Sequence, residues 1–161
     1  MNPISKTAYL CCGTRALDAS SKRPLCNDIY AKAFMSPEGA RVFERFKQFK
    51  RPNISNAVRS RIVEDALRAR ISGNPDLQII NIGAGFDSRA FRLSGGHWIE
   101  IDEPQIIELK NKTLPVERCG NPLCRFAVEF KGDQLERLLR TFDASKETVF
   151  VIEGVFMYLE K

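Results

Sequence analysis

A glycine turn, Gly83-Ala84-Gly85, and the carboxylate Asp102 are the residues of this sequence best suited to do chemistry together. The turn follows an apolar run (Leu77, Ile79, Ile80, Ile82), and a second short run, Trp98-Ile99-Glu100-Ile101, ends in Asp102. A strand, a tight glycine turn, a crossover and a second strand closed by a carboxylate make up a nucleotide-binding half-unit. The glycines at Gly83 and Gly85 let the backbone approach a ligand, and Asp102 can accept hydrogen bonds from ribose hydroxyls. The competing reading of Asp102 is an acid that starts a helix before Pro104.

Dehydrogenases, flavoproteins and methyltransferases all use a G-x-G turn, so the turn alone does not choose a ligand. The third glycine of the dinucleotide pattern is replaced here by Ser88. That glycine lets the next helix pack closely and present its N-terminus to a pyrophosphate. Its absence favours a ligand without phosphates, and S-adenosylmethionine is one. This ligand needs a carboxylate for its ribose, an acceptor or apolar wall for its adenine, and a cation for its own carboxylate. Glu129 can accept from the adenine amino group with Phe130 as a wall; the alternative is an exposed charge at a strand end. Glu153 ends a buried strand, where an unpaired carboxylate is costly, and this favours a site role. Asp87 and Arg89 follow the turn directly, one expected to line the site and the other to pair with a neighbour.

The elements that must position these residues follow from periodicity. Residues 4–19 carry Ala8, Leu10, Cys11, Cys12, Ala16 and Leu17 at helical spacing, with Gly13 as a weak point. Asn27 or Asp28 can cap a short helix through Ala31, Ala33 and Phe34. Ser36-Pro37-Glu38 supplies a capping hydroxyl, a proline at the first helical position and an acid in the first turn. The helix it starts is expected to turn Val42, Phe43, Phe46 and Phe49 inward. Residues 50–53 are expected to break it. A long helix over 54–72 then follows, with Ile54, Ala57, Val58, Ile62, Ala66, Leu67 and Ala69 as its apolar side and an Arg61–Asp65 pair.

From residue 77 onward strands alternate with helices, the signature of a parallel α/β sheet. Strands are expected at 77–82, 98–101, 124–130 and 148–152, with helices from Pro104 and over 134–142. The last strand is continuous and β-branched, as in the middle of a sheet. The expected organisation is an N-terminal helical segment over residues 1–75 and a Rossmann-like half-domain over residues 76–161. A doubly wound sheet needs further strands beyond its switch point, and an open edge invites association. The expectation is therefore a chain truncated after its fourth strand, or one whose open edge pairs with a partner or a second copy.

Composition narrows the partners. The chain has 161 residues, 43% hydrophobic and 28% charged, an ordinary globular composition. Its longest apolar stretch, 148–158, is interrupted by Glu153 and is too short to span a bilayer. The start has no basic segment followed by an apolar core, so a cytoplasmic protein without a membrane partner is expected. The net charge is +5, but the basic residues are interleaved with acids, and only residues 46–51 (FKQFKR) form a run. No nucleic-acid partner is expected from that pattern. The cysteines (Cys11, Cys12, Cys26, Cys119, Cys124) have no C-x-x-C spacing, and His97 stands alone, so no metal is implied.

Five separated blocks, in order, resemble the leucine carboxyl methyltransferase family. They are N-I-G-A-G-F-D-S-R-A-F-R-L (81–93), I-E-I-D-E-P (99–104) followed by Lys110, I-E-G-V-F-M-Y-L (152–159), T-A-Y-L-C-C-G-T-R-A (7–16) and N-D-I-Y-A-K-A-F (27–34). The wider family includes S-adenosylmethionine-dependent O-methyltransferases of secondary metabolism. The resemblance implies a Rossmann-like class I methyltransferase fold with an N-terminal helical extension, and S-adenosylmethionine as cofactor. It implies that Arg61, with Arg59 as a nearby substitute, grips the cofactor carboxylate and that Arg15 assists. Gly83 and Gly85 form the turn, Asp102 takes the ribose, and Glu153 sits beside the methionine end. The family usually has Asp-Leu at the adenine position, where this chain has Glu129-Phe130.

The implied reaction is in-line transfer of the sulfonium methyl to an oxygen of a small molecule or a protein C-terminal carboxylate. A carboxylate acceptor needs no base; a hydroxyl does, and the pocket candidate is Tyr158. Two rival readings stand beside this one. A nicotinamide-dependent oxidoreductase accounts for the glycine turn and Asp102 but not for Ser88 or Arg61. A cofactor-binding but inactive fragment, or an interaction protein, is the reading that the early stop favours.

Overall fold

The N-terminal periodicity forms α1 (Pro3–Ala19), and α2 (Pro37–Lys47) packs against it. Gly13 is what lets the two approach: a Cβ there would lie 2.3 Å from the Phe43 ring. The weak point in the α1 pattern is thus the point of helix contact. Ser36 caps α2 as its sequence signal implies, its hydroxyl accepting the Gly39 N–H at 3.1 Å. Between α1 and α2, residues Ala31–Phe34 form a single 3-10 turn. Asp28 starts it, with Oδ1 accepting the N–H groups of Tyr30 and Ala31.

The long helix, α3 (Lys50–Gly73), begins earlier than expected. The break falls at Gln48-Phe49, and Pro52 sits in the first helical turn, where its missing N–H costs nothing. The buried face also differs. Ala57, Ser60, Glu64, Leu67 and Ile71 are buried, whereas Ile54, Val58 and Ile62 are exposed, as are Phe46 and Phe49. Of the phenylalanines expected inside, only Phe43 is buried. The apolar spacing locates these helices and places Ala57 and Leu67 of α3 inside. Ser60 and Glu64, however, are buried in place of the expected Ile54, Val58 and Ile62, because those polar groups have partners of their own.

The computed structural model describes residues 3–155. They belong to two compact units, Met1–Ala69 with Phe86–Arg92, and Arg70–Gly85 with Leu93–Lys161. The segment after the glycine turn, including the short α4 (Arg89–Arg92), therefore belongs with the helices.

The second unit is a parallel sheet of β1 (Gln78–Ile82), β2 (His97–Asp102), β3 (Leu123–Ala127) and β4 (Thr148–Ile152), in the order β3-β2-β1-β4. β1 is buried at every position, the polar Gln78 and Asn81 as well as its three isoleucines. It pairs with β2 through Ile80↔Ile99 and with β4 through Ile80↔Phe150. α5 (Pro104–Thr113) joins β2 to β3, and α6 (Gln134–Leu139) joins β3 to β4. Ile80, Ile82, Ile101 and Val128 form a core cluster against which Phe126, Phe130, Leu135, Leu138, Leu139 and Phe142 pack.

Three boundaries in this unit depart from the pattern. β3 ends at Ala127: the Val128 N–H still reaches the Asp102 carbonyl at 2.9 Å, but the Glu129 N–H turns to the Gln134 side chain. α6 stops at Leu139 because the N–H groups of Thr141 and Phe142 close tighter turns onto Leu138 and Leu139. β4, expected in mid-sheet, lies at the edge of the described sheet with Phe150 53% exposed. A short apolar run cannot by itself tell an inner strand from an edge. Among the described residues, no helix is long and apolar enough to cross a membrane.

Candidate functional site

The glycine turn and Asp102 come together at the C-terminal ends of β1 and β2. Gly83 and Gly85 hold φ of +68° and +50°, a region that favours glycine. At Gly83 a side chain would also be excluded by packing, since a Cβ would lie 2.0 Å from Val155 Cγ2. The turn's amides are all used within the fold. Those of Gly83 and Ala84 donate to the Ile101 carbonyl at 2.8 and 3.1 Å, and that of Gly85 donates to Asp102 Oδ2 at 2.6 Å. Asp102 Oδ1 accepts the Glu103 N–H at 2.7 Å. Each carboxylate oxygen thus takes one backbone donor and keeps further acceptor capacity.

Asp102 is buried, 4% exposed, and burial pushes its carboxyl above the usual range. The Gly85 and Glu103 N–H groups and the Lys110 charge pull it back, and the Glu103 carboxylate adds to the rise. Such a group can titrate closer to neutrality than an ordinary aspartate. What the site offers is a buried carboxylate acceptor beside a glycine turn. The amides of Gly83, Ala84 and Gly85 are not free for a phosphate.

The remaining residues anticipated in this unit flank that pair. Register sets Ile152 beside Ile82, so Glu153 emerges next to Gly83; it is half-buried. Glu129 and Phe130 lie just beyond the end of β3, on the segment that begins with the Val128–Asp102 backbone bond. Glu129 is exposed, while Phe130 is half-buried and packs on the Ile80–Ile101 cluster. Tyr158 lies outside the described residues. His97 stands at the start of β2, the opposite end of the strand, 3.5 Å from Asp76.

Arg15 and Arg61 belong to the helical unit and take separate partners there. Arg15 Nε donates to Asp28 Oδ2 at 2.9 Å and Nη2 to the Phe86 carbonyl at 2.7 Å. Burial works against its charge, but Asp28, with Cys12 and Asp87, more than compensates and raises its pKa. Arg61 is exposed; its Nε bonds both oxygens of Asp65 at 2.8 and 2.7 Å, the pair anticipated at four-residue spacing, and Nη1 reaches the Leu25 carbonyl. Arg59 bonds Asn56.

Sequence reasoning did not anticipate what holds the segment after the turn. Ser88, noted above for the glycine it replaces, is fully buried, and its hydroxyl donates to Asp28 Oδ1 at 2.5 Å. Arg92 donates to the Ser88 hydroxyl at 3.0 Å and forms an ion pair with Glu64. Asp87 and Arg89 pair with each other at 2.8 Å, and Arg89 also reaches Ser60. A buried Asp28 thus ties α1, through Arg15, to the residues just after the glycine turn. The only sequence signal for it was that Ser88 stands where the dinucleotide pattern wants glycine.

Comparison with known proteins finds similar chains that share one name. A relative from Mycobacteroides abscessus, named "Putative S-adenosyl-L-methionine-dependent methyltransferase", is 29% identical over 99% of this chain and 58% of its own length. Relatives of the same name from Mycobacterium sp. strain KMS and Mycobacterium avium strain 104 are 30% and 27% identical over 97% of the chain. The chain thus spans 58% of the length of these relatives. The leucine carboxyl methyltransferase profile matches residues 8–161, and the chain belongs to that family.

Proposed function

We propose that this chain carries the cofactor half of an S-adenosylmethionine-dependent methyltransferase, with Asp102 as the acceptor for the ribose hydroxyls. The observation that carries this reading is how the glycine turn spends its amides. With the Gly83, Ala84 and Gly85 N–H groups bonded to Ile101 and Asp102, the turn has no amide left for a pyrophosphate. α4 is also a helix of 4 residues, too short to supply a helix-terminus field. A nicotinamide dinucleotide is thereby disfavoured, and a phosphate-free nucleoside suits the carboxylate that remains. The names of the relatives support the same ligand.

In this reading Gly83 and Gly85 form the turn, Glu153 meets the methionine end, and Glu129 with Phe130 borders the adenine. Arg61 and Arg15 enter on the family resemblance as the cations for the cofactor carboxylate. The bound cofactor supplies an electrophilic methyl group on sulfur. The protein's share is to orient an acceptor oxygen in line with it and to exclude water. We assign the transfer to a carboxylate or hydroxyl oxygen; an ionised carboxylate requires no general base.

Calorimetric titration with S-adenosylmethionine, S-adenosylhomocysteine and NADH tests the reading. Binding of the first two but not NADH is expected, with Asp102→Ala weakening both. Binding of NADH alone, or cofactor binding unchanged by Asp102→Ala, would overturn it.

A further inference from the structure

Beneath Asp102 lies a cluster of charges that the ligand reading does not use. Glu100 and Asp102 are two residues apart on β2 and so share one face of the strand. Glu100 is 1% exposed, and a buried carboxylate is costly unless it is paired. Its Oε1 is 2.9 Å from Lys110 Nζ, and its Oε2 is 2.7 Å from Arg125 Nε. Arg125 stands opposite Glu100 in the β2–β3 register and is further held by Asn111 Oδ1 at 2.9 Å and the Leu114 carbonyl at 2.8 Å. Lys110, from α5, is fully buried.

Glu100 divides its charge between two cations, so it compensates Lys110 only in part. The next carboxylate on that face of β2 is Asp102. β3 presents Ala127 opposite it, the end of β1 presents the glycine turn, and Glu103 follows it in the chain. Of the charged groups acting on Asp102, Lys110 is the one that favours its ionised form, and Glu103 opposes it.

We propose that Lys110 is a positioning residue that holds Asp102 as a charged, two-oxygen acceptor at the end of β2, with Glu100 and Arg125 fixing Lys110 in place. The consequence for ligand binding rests on the S-adenosylmethionine reading above; the charge coupling between Lys110 and Asp102 does not. Burial and Lys110 act on Asp102 in opposite directions. Without the ammonium group the Gly85 and Glu103 N–H donors are left to oppose burial. Asp102 then takes a proton at a higher pH and offers a ribose one acceptor oxygen fewer.

The test is carboxyl NMR titration of Asp102 in the ligand-free full chain, together with S-adenosylhomocysteine calorimetry between pH 5 and 8. In Lys110→Met the Asp102 midpoint is expected to rise by about one pH unit. Affinity should fall about tenfold below that midpoint and recover as the pH rises, since one pKa unit is a factor of ten. Lys110→Arg should restore both readouts, which a loss of packing alone would not allow. An Asp102 midpoint unchanged in Lys110→Met overturns the proposal. A midpoint that rises in a protein whose wild type binds no S-adenosylhomocysteine supports the coupling and sinks the cofactor reading instead. Should Lys110→Met fail to fold, Glu100→Gln gives the opposite sign: Lys110 then acts on Asp102 alone, and the midpoint should fall. A midpoint there that stays or rises overturns the proposal equally.

Discussion

The sheet unit and the helical unit place their polar residues by different rules. In the sheet, apolar residues fill β1 and the cluster around Ile80 and Ile101, and the buried charges Glu100, Lys110 and Arg125 gather beneath the end of β2. In the helical unit α3 buries Ser60 and Glu64 and exposes Ile54, Val58 and Ile62, while Asp28, Ser88 and Arg92 meet in its interior. Hydrophobic burial is non-directional, so it explains the sheet, whose apolar runs need only be covered. A buried ionic network is directional, and in the helical unit it decides which face of α3 turns in.

If that contrast is right, the largest effect comes from Asp28→Ala. It leaves Arg15 without its carboxylate partner and the Ser88 hydroxyl without its acceptor, a loss of about 3–5 kcal/mol in urea unfolding. Asp28→Asn should cost less. A loss under about 1 kcal/mol for the alanine variant would mean that apolar packing, not the network, organises this unit.

Gly83→Ala tests the sheet unit, where packing should dominate. The new Cβ meets Val155 and the residue must hold a positive φ, so a loss of about 1–3 kcal/mol is expected. Adding Val155→Ala should return the steric part and not the backbone part. Full recovery, or none, would show that only one of the two causes operates.

A smaller effect separates the units by pH. Burial opposes the Asp18 charge, but the N–H groups of Leu25, Asn27 and Cys26 and the Cys26 thiol outweigh it, so its folded-state pKa is lowered. Its contribution to stability is present above the unfolded value of about 3.9 and is lost as the pH falls through the folded value. For Asp102 the folded-state pKa is raised, chiefly by burial. Its contribution is present below about 3.9 and is lost as the pH rises through the folded value. Unfolding of Asp18→Asn and Asp102→Asn measured from pH 3 to 7 should therefore show pH slopes that differ from wild type in opposite senses. Slopes of the same sense would break the contrast.

The smallest changes belong to the exposed face of α3. Ile62→Ser should stay within about 0.5 kcal/mol of wild type, against the several kcal/mol expected of a core isoleucine. Arg61→Ala should leave the urea midpoint in place, because its pair with Asp65 is exposed, and on the proposed function should weaken S-adenosylmethionine binding. A large stability loss from either would mean that this face is covered.

Much of the sheet and its site was legible in the chain because the relevant residues are local. The run ending at Ile82, the glycines at Gly83 and Gly85 and the acid at the end of the next run state a strand-turn-strand unit without help from distant residues. The Ser36 cap and the Pro104 start were legible for the same reason. The Asp28–Ser88 bond was not, since its partners are 60 positions apart and of types found everywhere. The inner face of α3 was hidden for a related reason: Ser60 and Glu64 read as solvent-facing until Arg89 and Arg92 are brought to them.

The sequence by itself determined the alternation of helix and strand, the position of the glycine turn and the carboxylate opposite it, because periodicity and backbone freedom are properties of neighbouring residues. Only the tertiary structure settled how those parts are used. It spent the turn's amides on Ile101 and Asp102, placed Lys110 and Arg125 on the two oxygens of Glu100, and left β4 at the edge of the described sheet. Each of these depends on which groups remain unpaired once the chain has folded back on itself, and no local pattern records that.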